Sequence, residues 1–262
     1  MELAYDRAGT GPPLVLLHGA GHRRQAFDAV AALLTPHRDL VLADLPGHGE
    51  SPPLVTAGRP VLEVLLEAVL DFCDSLGLDR PHLAGNSLGG RLALDGAAAG
   101  RAASATALSP AGFFRGRGDV LYARSIFRVM QAAGTRLEPV APALLQTTAG
   151  RGVTFGAVVR HPSQLTPDQA AEDLAAFVAA GDALRELLAG LDEFSSQIPA
   201  EIPVTVAWGE HDRLLPRRQA RVARAKLPTA QFVLLPGCGH VPMTDNPRLV
   251  AEVLLRGSSG AP

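Results

Sequence analysis

The sequence predicts an α/β protein: a mostly parallel central sheet with helices on both faces and a helical insertion between two of its strands. Three features predict it. Short runs rich in Val and Leu alternate with longer helical patterns, the rhythm of strand–helix–strand units whose strands pair in parallel. The runs are apolar at consecutive positions, as strands covered on both faces require, whereas a half-exposed strand would alternate. Residues 112–198 interrupt the rhythm with helical pattern alone.

Along the chain, LVLLHG (14–19), DLVLADLPG (39–47) and PHLAGNS (81–87) read as strands, with helices expected over 25–34, 60–76 and 88–99. ATALSP (105–110) is the next strand. Inside the insertion, FFRGRGDVLYARSIFRVMQAAG (113–134) predicts a helix from Asp119, with an acid in its first turn and Gly134 at its end. TPDQAAEDLAAFVAAGDALRELL (166–188) predicts another, capped by Thr166 with Pro167 in the first turn. VTVAWGEHD (204–212) and QFVLLPG (231–237) return to strand, with helices over 216–226 and 246–256. The expected organisation is therefore one core formed by 1–111 and 199–262, interrupted by a helical lid over 112–198. The terminal GSSGAP reads as a flexible polar tail.

Composition narrows the function classes. The 24 Lys and Arg residues nearly balance 26 Asp and Glu, for a net charge of −2. Such a chain offers no broad basic surface for a nucleic acid or an anionic membrane, so the expected partner is a small molecule. Cys73 and Cys238 stand far apart, and neither belongs to a ligand-spaced pair, so neither a disulfide framework nor a zinc site is expected. Free thiols fit a reducing cytoplasm. The N-terminus lacks a basic, apolar leader pattern, and no apolar run reaches the ~18 residues of a membrane span. Monomer and homodimer both remain open.

The chemistry begins at Gly85-Asn86-Ser87-Leu88-Gly89, a G-x-S-x-G sequence between an apolar run and a helical pattern. A sharp strand-to-helix turn there lifts a serine hydroxyl above the sheet edge, and the flanking glycines remove side chains that would collide. The following helix start directs free N–H groups at the negative charge that develops when a carbonyl is attacked. Taken alone, the five residues equally describe a serine that caps a helix beside a glycine turn. A serine nucleophile also needs a histidine to take its proton and a carboxylate to orient that histidine. Asp212 follows the strand VTVAWGEH and His240 follows QFVLLPG, so both belong at the sheet edge where Ser87 stands.

LLHGAG (16–21), ADLPGHGES (43–51), AGNSLGG (84–90), AWGEHDRLLP (207–216) and LPGCGHVPMTDNP (235–247) together resemble the α/β-hydrolase superfamily, in its lidded branch of esterases, C–C bond hydrolases and perhydrolases. The likeness covers about 3–111 and 200–256 and is weak across the insertion. The resemblance implies the α/β-hydrolase fold, with Ser87 as nucleophile, His240 as base and Asp212 as orienting acid, and no metal or cofactor. It implies an oxyanion hole from the backbone N–H groups of Ala20 and Leu88, with Gly21 able to substitute for Ala20. His18, His48 and Asp44 are expected to support loops, and His22 and His211 to be loop residues near the site. Cys238 is expected to be a packed residue. Relatives that open epoxides or remove halide carry aspartate where Ser87 stands, which argues against both reactions.

The expected reaction is hydrolysis of a carboxylic ester or related acyl bond of a small, largely apolar molecule. Two other readings stay open: C–C bond cleavage or a lyase reaction by the same triad, and a non-catalytic small-molecule binder of the same fold. Asn86 in GNSLGG favours the C–C option, whereas Val241 stands where those enzymes usually place tryptophan after the histidine. Gly21 and Val241 are expected to touch substrate. In the insertion, Tyr122, Ile126 and Met130 are expected to roof an apolar pocket over Ser87, the alternative being that this helix face packs only on other helices.

Overall fold

The computed structural model describes residues 2–259. A seven-stranded sheet forms its centre: β1 (Tyr5–Gly9), β2 (Pro13–Leu17), β3 (Asp39–Ala43), β4 (His82–Asn86), β5 (Ser104–Leu108), β6 (Val204–Gly209) and β7 (Gln231–Leu235), in the spatial order β1-β3-β2-β4-β5-β6-β7. All pairings are parallel except β1 with β3. The six strands anticipated from sequence are all present. β1 was not anticipated, and its sequence YDRAG explains why: it is an edge strand, exposed at every position, so it carries no apolar signal.

Consecutive apolar residues in the inner strands serve two different cores. Val15, Leu17, Val41 and Ala43 pack into the core on one face of the sheet, while Leu14, Leu16, Leu40 and Leu42 pack into the other. The first core is completed by α2 (Val61–Ser75), α3 (Leu88–Ala98) and α9 (Arg218–Lys226); the second by α1 (Asp28–Leu34) and α11 (Pro247–Gly257), which follows the single turn α10 (Pro242–Asp245). Side chains alternate across a strand, so two covered faces demand an unbroken apolar run.

Between β5 and β6 the described residues form helices and no strand: α4 (Arg117–Leu137), α5 (Ala141–Leu144), α6 (Thr148–Phe155), α7 (Pro167–Ala179) and α8 (Gly181–Ala189). The second predicted helix, 166–188, divides into α7 and α8. Thr166 and Gln169 form a reciprocal capping box at the start of α7, as the Thr-Pro opening suggested. The division falls at Ala180–Gly181, where Gln131 of α4 donates its Nε2–H to the Val178 carbonyl at 3.0 Å. A side chain at position 181 would crowd that amide. Among the described residues no helix is long and apolar enough to cross a membrane. The expected free tail is corrected in part: Gly257 ends α11, and Ser258 is buried with its hydroxyl donating to the Leu254 carbonyl at 2.7 Å. Residues 260–262 lie outside the described residues.

Two contacts position the loops at the sheet edge. At the start of α3, a Cβ on Gly89 would run into the carbonyls of Leu17 and His18, and one on Gly85 would run into Gly89 itself. At the end of β2, the buried His18 ring spans two loops. It donates Nδ1–H to the Gly19 carbonyl at 2.8 Å and accepts the Leu45 N–H on Nε2 at 2.9 Å. His48, also buried, lies with its ring centre 5.2 Å from that of His18, and its Nε2 has no partner among the described residues. Burial holds both imidazoles below the ordinary histidine range, His18 well below it. A second proton on His18 would face the Leu45 N–H.

Gly89→Ala is expected to cost about 3 kcal/mol of unfolding free energy, because the colliding groups are strand backbone that cannot swing aside. Gly77→Ala, at φ 68° with nothing within 4 Å, is expected to cost only about 1–2 kcal/mol for the left-handed backbone. Urea unfolding of the two variants checks the difference. The depressed histidines set a pH dependence with a definite sign. The unfolded chain takes up protons near pH 6.5 that folded His18 and His48 refuse. Their stability contribution is therefore complete above that pH and declines below it, by up to about 1.4 kcal/mol per pH unit for each histidine. The urea midpoint should fall from pH 7.5 to pH 5.5, and fall less in His48→Asn, which keeps an N–H for the Pro46 carbonyl but has no ring to protonate.

Candidate active site

Ser87 occupies the turn between β4 and α3 with φ 55° and ψ −110°, a left-handed conformation that L residues rarely adopt. Hydrogen bonds hold it there: its N–H donates to Leu108 O at 2.9 Å, and its carbonyl accepts from Arg91 N at 3.0 Å and Ala111 N at 3.1 Å. The Gly89 N–H is committed to the His18 carbonyl at 3.1 Å. The N–H groups of Ala20 and Leu88 have no acceptor among the described residues, Leu88 because it opens its helix.

Asp212 follows β6 and His240 follows β7, and the two meet with His240 Nδ1 2.8 Å from Asp212 Oδ2. Both are buried. The other carboxylate oxygen accepts from the N–H groups of Leu214 at 3.0 Å and Leu215 at 2.8 Å, so Asp212 cannot rotate away without stranding them. With Nδ1 donating to the carboxylate, the imidazole has Nε2 available to accept a proton. Asp44, the other buried carboxylate of the core loops, is engaged elsewhere. It accepts from Arg24 N at 2.6 Å, Arg24 Nη1 at 2.5 Å and Glu50 N at 3.0 Å, which ties two loops together.

Three further groups hold the backbone around His240, and sequence reasoning missed their role. Asn86 donates its amide to the carbonyls of His240 at 2.9 Å and Leu108 at 3.1 Å. The Val158 carbonyl, from the helical insertion, accepts from His240 N at 2.8 Å and Val241 N at 3.0 Å. The Asp245 carboxylate accepts from Gly239 N at 2.8 Å, Arg160 N at 3.0 Å and His161 N at 2.7 Å, joining the histidine loop to the insertion. The close approach excludes a side chain at Gly239, where a Cβ would press on the Val158 carbonyl. Only the motif GCGHVPMTD hinted at any of this.

Ser87 and His240 line one cavity of about 300 Å³. Its floor is Gly19, Ala20, Gly21 and Val241; its roof comes from the insertion and includes Phe127, Met130, Phe155, Leu174 and Phe177. A smaller recess of about 40 Å³ adjoins it at Ala20 and Ser87, bordered by Leu88, Phe114, Leu184 and Leu187. Of the expected contacts, Gly21, Met130 and Val241 line the larger cavity. Tyr122 and Ile126 do not. The Tyr122 hydroxyl donates to Arg213 O at 2.6 Å on the outside, and Ile126 packs on the sheet-side core. The stripe of α4 that faces the cavity runs Phe127–Met130–Gly134–Leu137, turned from the predicted one toward its C-terminal end. His211 is partly exposed beside Glu210, and Cys238 is buried, its thiol pushed up to about 12 mainly by burial.

A model of the alpha/beta hydrolase family matches residues 14–253. The dihydrolipoyllysine-residue acetyltransferase component of the acetoin cleaving system of Pseudomonas putida is 29% identical over 94% of this chain, which spans 63% of that protein's length. A pimeloyl-[acyl-carrier protein] methyl ester esterase of Aeromonas hydrophila is 25% identical over 97% of this chain and 98% of its own. A 2-hydroxy-6-oxononadienedioate/2-hydroxy-6-oxononatrienedioate hydrolase of Paraburkholderia phymatum is 27% identical over 97% and 90%. An esterase from Thermogutta terrifontis superposes with a TM-score of 0.71 at 22% identity, over 97% of this chain and 92% of its own. With the sheet order, the elbow and a family match across nearly the whole core and insertion, the chain belongs to the alpha/beta hydrolase family.

Proposed function

We propose that this protein is a serine hydrolase that cleaves a carboxylic ester or related acyl bond of a small, largely apolar molecule through an acyl-enzyme on Ser87. The observation that supports it most is the buried Asp212–His240 pair opening on the same cavity as a serine strained into the elbow conformation. In this reading His240 Nε2 takes the Ser87 proton as Oγ attacks the acyl carbon, and the charged imidazolium is stabilised by Asp212. The developing oxyanion is held by the N–H groups of Ala20 and Leu88. His240 returns the proton to the leaving oxygen, then draws one from the water that releases the acid. The insertion 112–198 serves as the lid, and the partner is a small acyl substrate.

The cavity also favours esters over the C–C reading. The relative's dienedioate carries two carboxylates, whereas the larger cavity has no lysine or arginine among its lining residues, and Arg91, which borders the smaller recess, is already paired with Asp95 and Asp192. Asn86, the residue that raised the C–C option, spends its amide on backbone carbonyls.

A fluorophosphonate probe should label the wild-type protein at Ser87 and leave Ser87→Ala unlabelled. His240→Ala and Asp212→Asn should each lower kcat/KM for a short ester by at least about 10³-fold. A fall of that size in Asp44→Asn with Asp212→Asn near wild type would reassign the acid. The unequal cavities generate a second expectation: esters with one long and one very short arm are turned over, whereas esters with both arms long are not. Comparable kcat/KM for hexyl hexanoate and ethyl hexanoate would sink it.

A further inference from the structure

The larger cavity is lined mainly by apolar side chains, with Thr154 and Thr244 among its few polar ones, and it holds a single carboxylate. Asp173, on α7, is the only carboxylate, lysine or arginine among its lining residues, and His22, at the end of the HGAG loop, faces it. His22 accepts the Arg23 N–H on Nδ1 at 3.0 Å. A backbone N–H can only donate, so the neutral ring carries its proton on Nε2. That Nε2 lies 3.9 Å from Asp173 Oδ2, too far for a hydrogen bond. The other oxygen of Asp173 is 3.7 Å from Arg23 Nε, a buried atom that has no partner among the described residues. The rest of the Arg23 guanidinium is drawn away to Glu172 at 2.5 Å. A donor and a carboxylate, both partly buried, thus face each other at the chamber wall too far apart to pair directly and close enough for one polar group to bridge them.

We infer that His22 and Asp173 form a hydroxyl-recognition subsite, and that the preferred substrate carries an alcohol group on the arm that occupies the larger cavity. A hydroxyl accepts from one side and donates from the other, and an oxygen about 2.8 Å from both His22 Nε2 and Asp173 Oδ2 fits a 3.9 Å gap. A carboxylate fails the same test, since it has no proton for Asp173 and meets like charge. A methyl group leaves both polar groups unpaired. This inference rests on the hydrolase reading for the orientation of the substrate, and it specifies what that reading leaves open.

The test uses the whole protein and three matched series of ethyl esters from four to ten acyl carbons, ending in methyl, hydroxyl or carboxylate. In a purely apolar pocket the terminal hydroxyl would lower kcat/KM, because it loses water without compensation. Here, at the matching chain length, the hydroxy ester should exceed its methyl-ended counterpart by about tenfold, the size of one charge-assisted hydrogen bond, and the carboxylate should be the poorest of the three. Asp173→Ala and His22→Ala should bring the hydroxyl-to-methyl ratio to one or below. Asp173→Asn, which preserves packing, should lower it by a smaller factor. Binding is read separately by calorimetry on Ser87→Ala with the corresponding hydroxy and unsubstituted amides. Hydroxyl preference in binding without ester turnover supports the subsite and removes the hydrolase reading. Turnover with no hydroxyl preference at any length, or equal loss for all three series in the variants, overturns the subsite and leaves the hydrolase reading standing.

Discussion

The contact on which the site depends is the meeting of α3 with β2 and β4 at Gly85 and Gly89. With no side chains there, the helix start comes so close that the Gly89 N–H reaches the His18 carbonyl. Ser87, between them, is left with the left-handed backbone that points its side chain out of the strand. An isolated serine in that conformation would relax. Here its N–H is held by Leu108 and its carbonyl by Arg91 and Ala111, so relaxation would break three buried hydrogen bonds. The local strain is thereby offset by the sheet and helix around it. The same contact orders the HGAG loop, whose first residue, His18, is fixed between the carbonyl of Gly19 and the N–H of Leu45.

The histidine side of the site is built on a different principle. His240 stands in a loop with no regular structure of its own, and its backbone is fastened by Asn86 from the elbow, Val158 from the insertion and Asp245 from α10. Two of these fastenings are shared: Val158 and Asp245 tie the histidine loop and the 158–161 segment of the insertion to each other. The insertion is therefore more than a cover over the cavity. Moving that segment would strip His240 N and Val241 N of the Val158 carbonyl and would leave Arg160 N and His161 N without the Asp245 carboxylate, so the position of the histidine loop depends on the 158–161 contact.

Much of the core was legible because its physics is local. Unbroken runs such as LVLL mark strands covered on both faces, and the GNSLG turn needs its glycines wherever a helix starts against a strand. The placement of Asp212 and His240 together at the sheet edge was legible because each follows such a run. β1 was illegible because an exposed edge strand like YDRAG owes its conformation to β3, not to its own pattern. Tyr122 and Ile126 were misplaced for a related reason. Helical periodicity separates an apolar stripe from a polar one but does not say which part of the stripe meets a cavity, and α4 is long enough to pack Ile126 on the core while Met130 reaches the chamber. Asp245 escaped notice because its partners are backbone N–H groups, which every residue has.

Sheet and insertion divide the chemistry between them. In the proposed reaction, the groups assigned to the reacting bond, Ser87, His240, Asp212 and the N–H groups of Ala20 and Leu88, all come from the sheet edge, where strand spacing fixes their separations. The cavity wall beyond them comes largely from α4, α6 and α7, where a change of one residue would alter the cavity's shape without touching Ser87, Asp212 or His240. Asp173 illustrates the consequence. This carboxylate, on an insertion helix at the chamber wall, lies beyond hydrogen-bond distance of both Arg23 Nε and His22 Nε2. A ligand group that bridges the His22–Asp173 separation would gain hydrogen bonds that the neighbouring side chains do not supply to each other, whereas contact with the apolar wall discriminates between substrates mainly by size and shape.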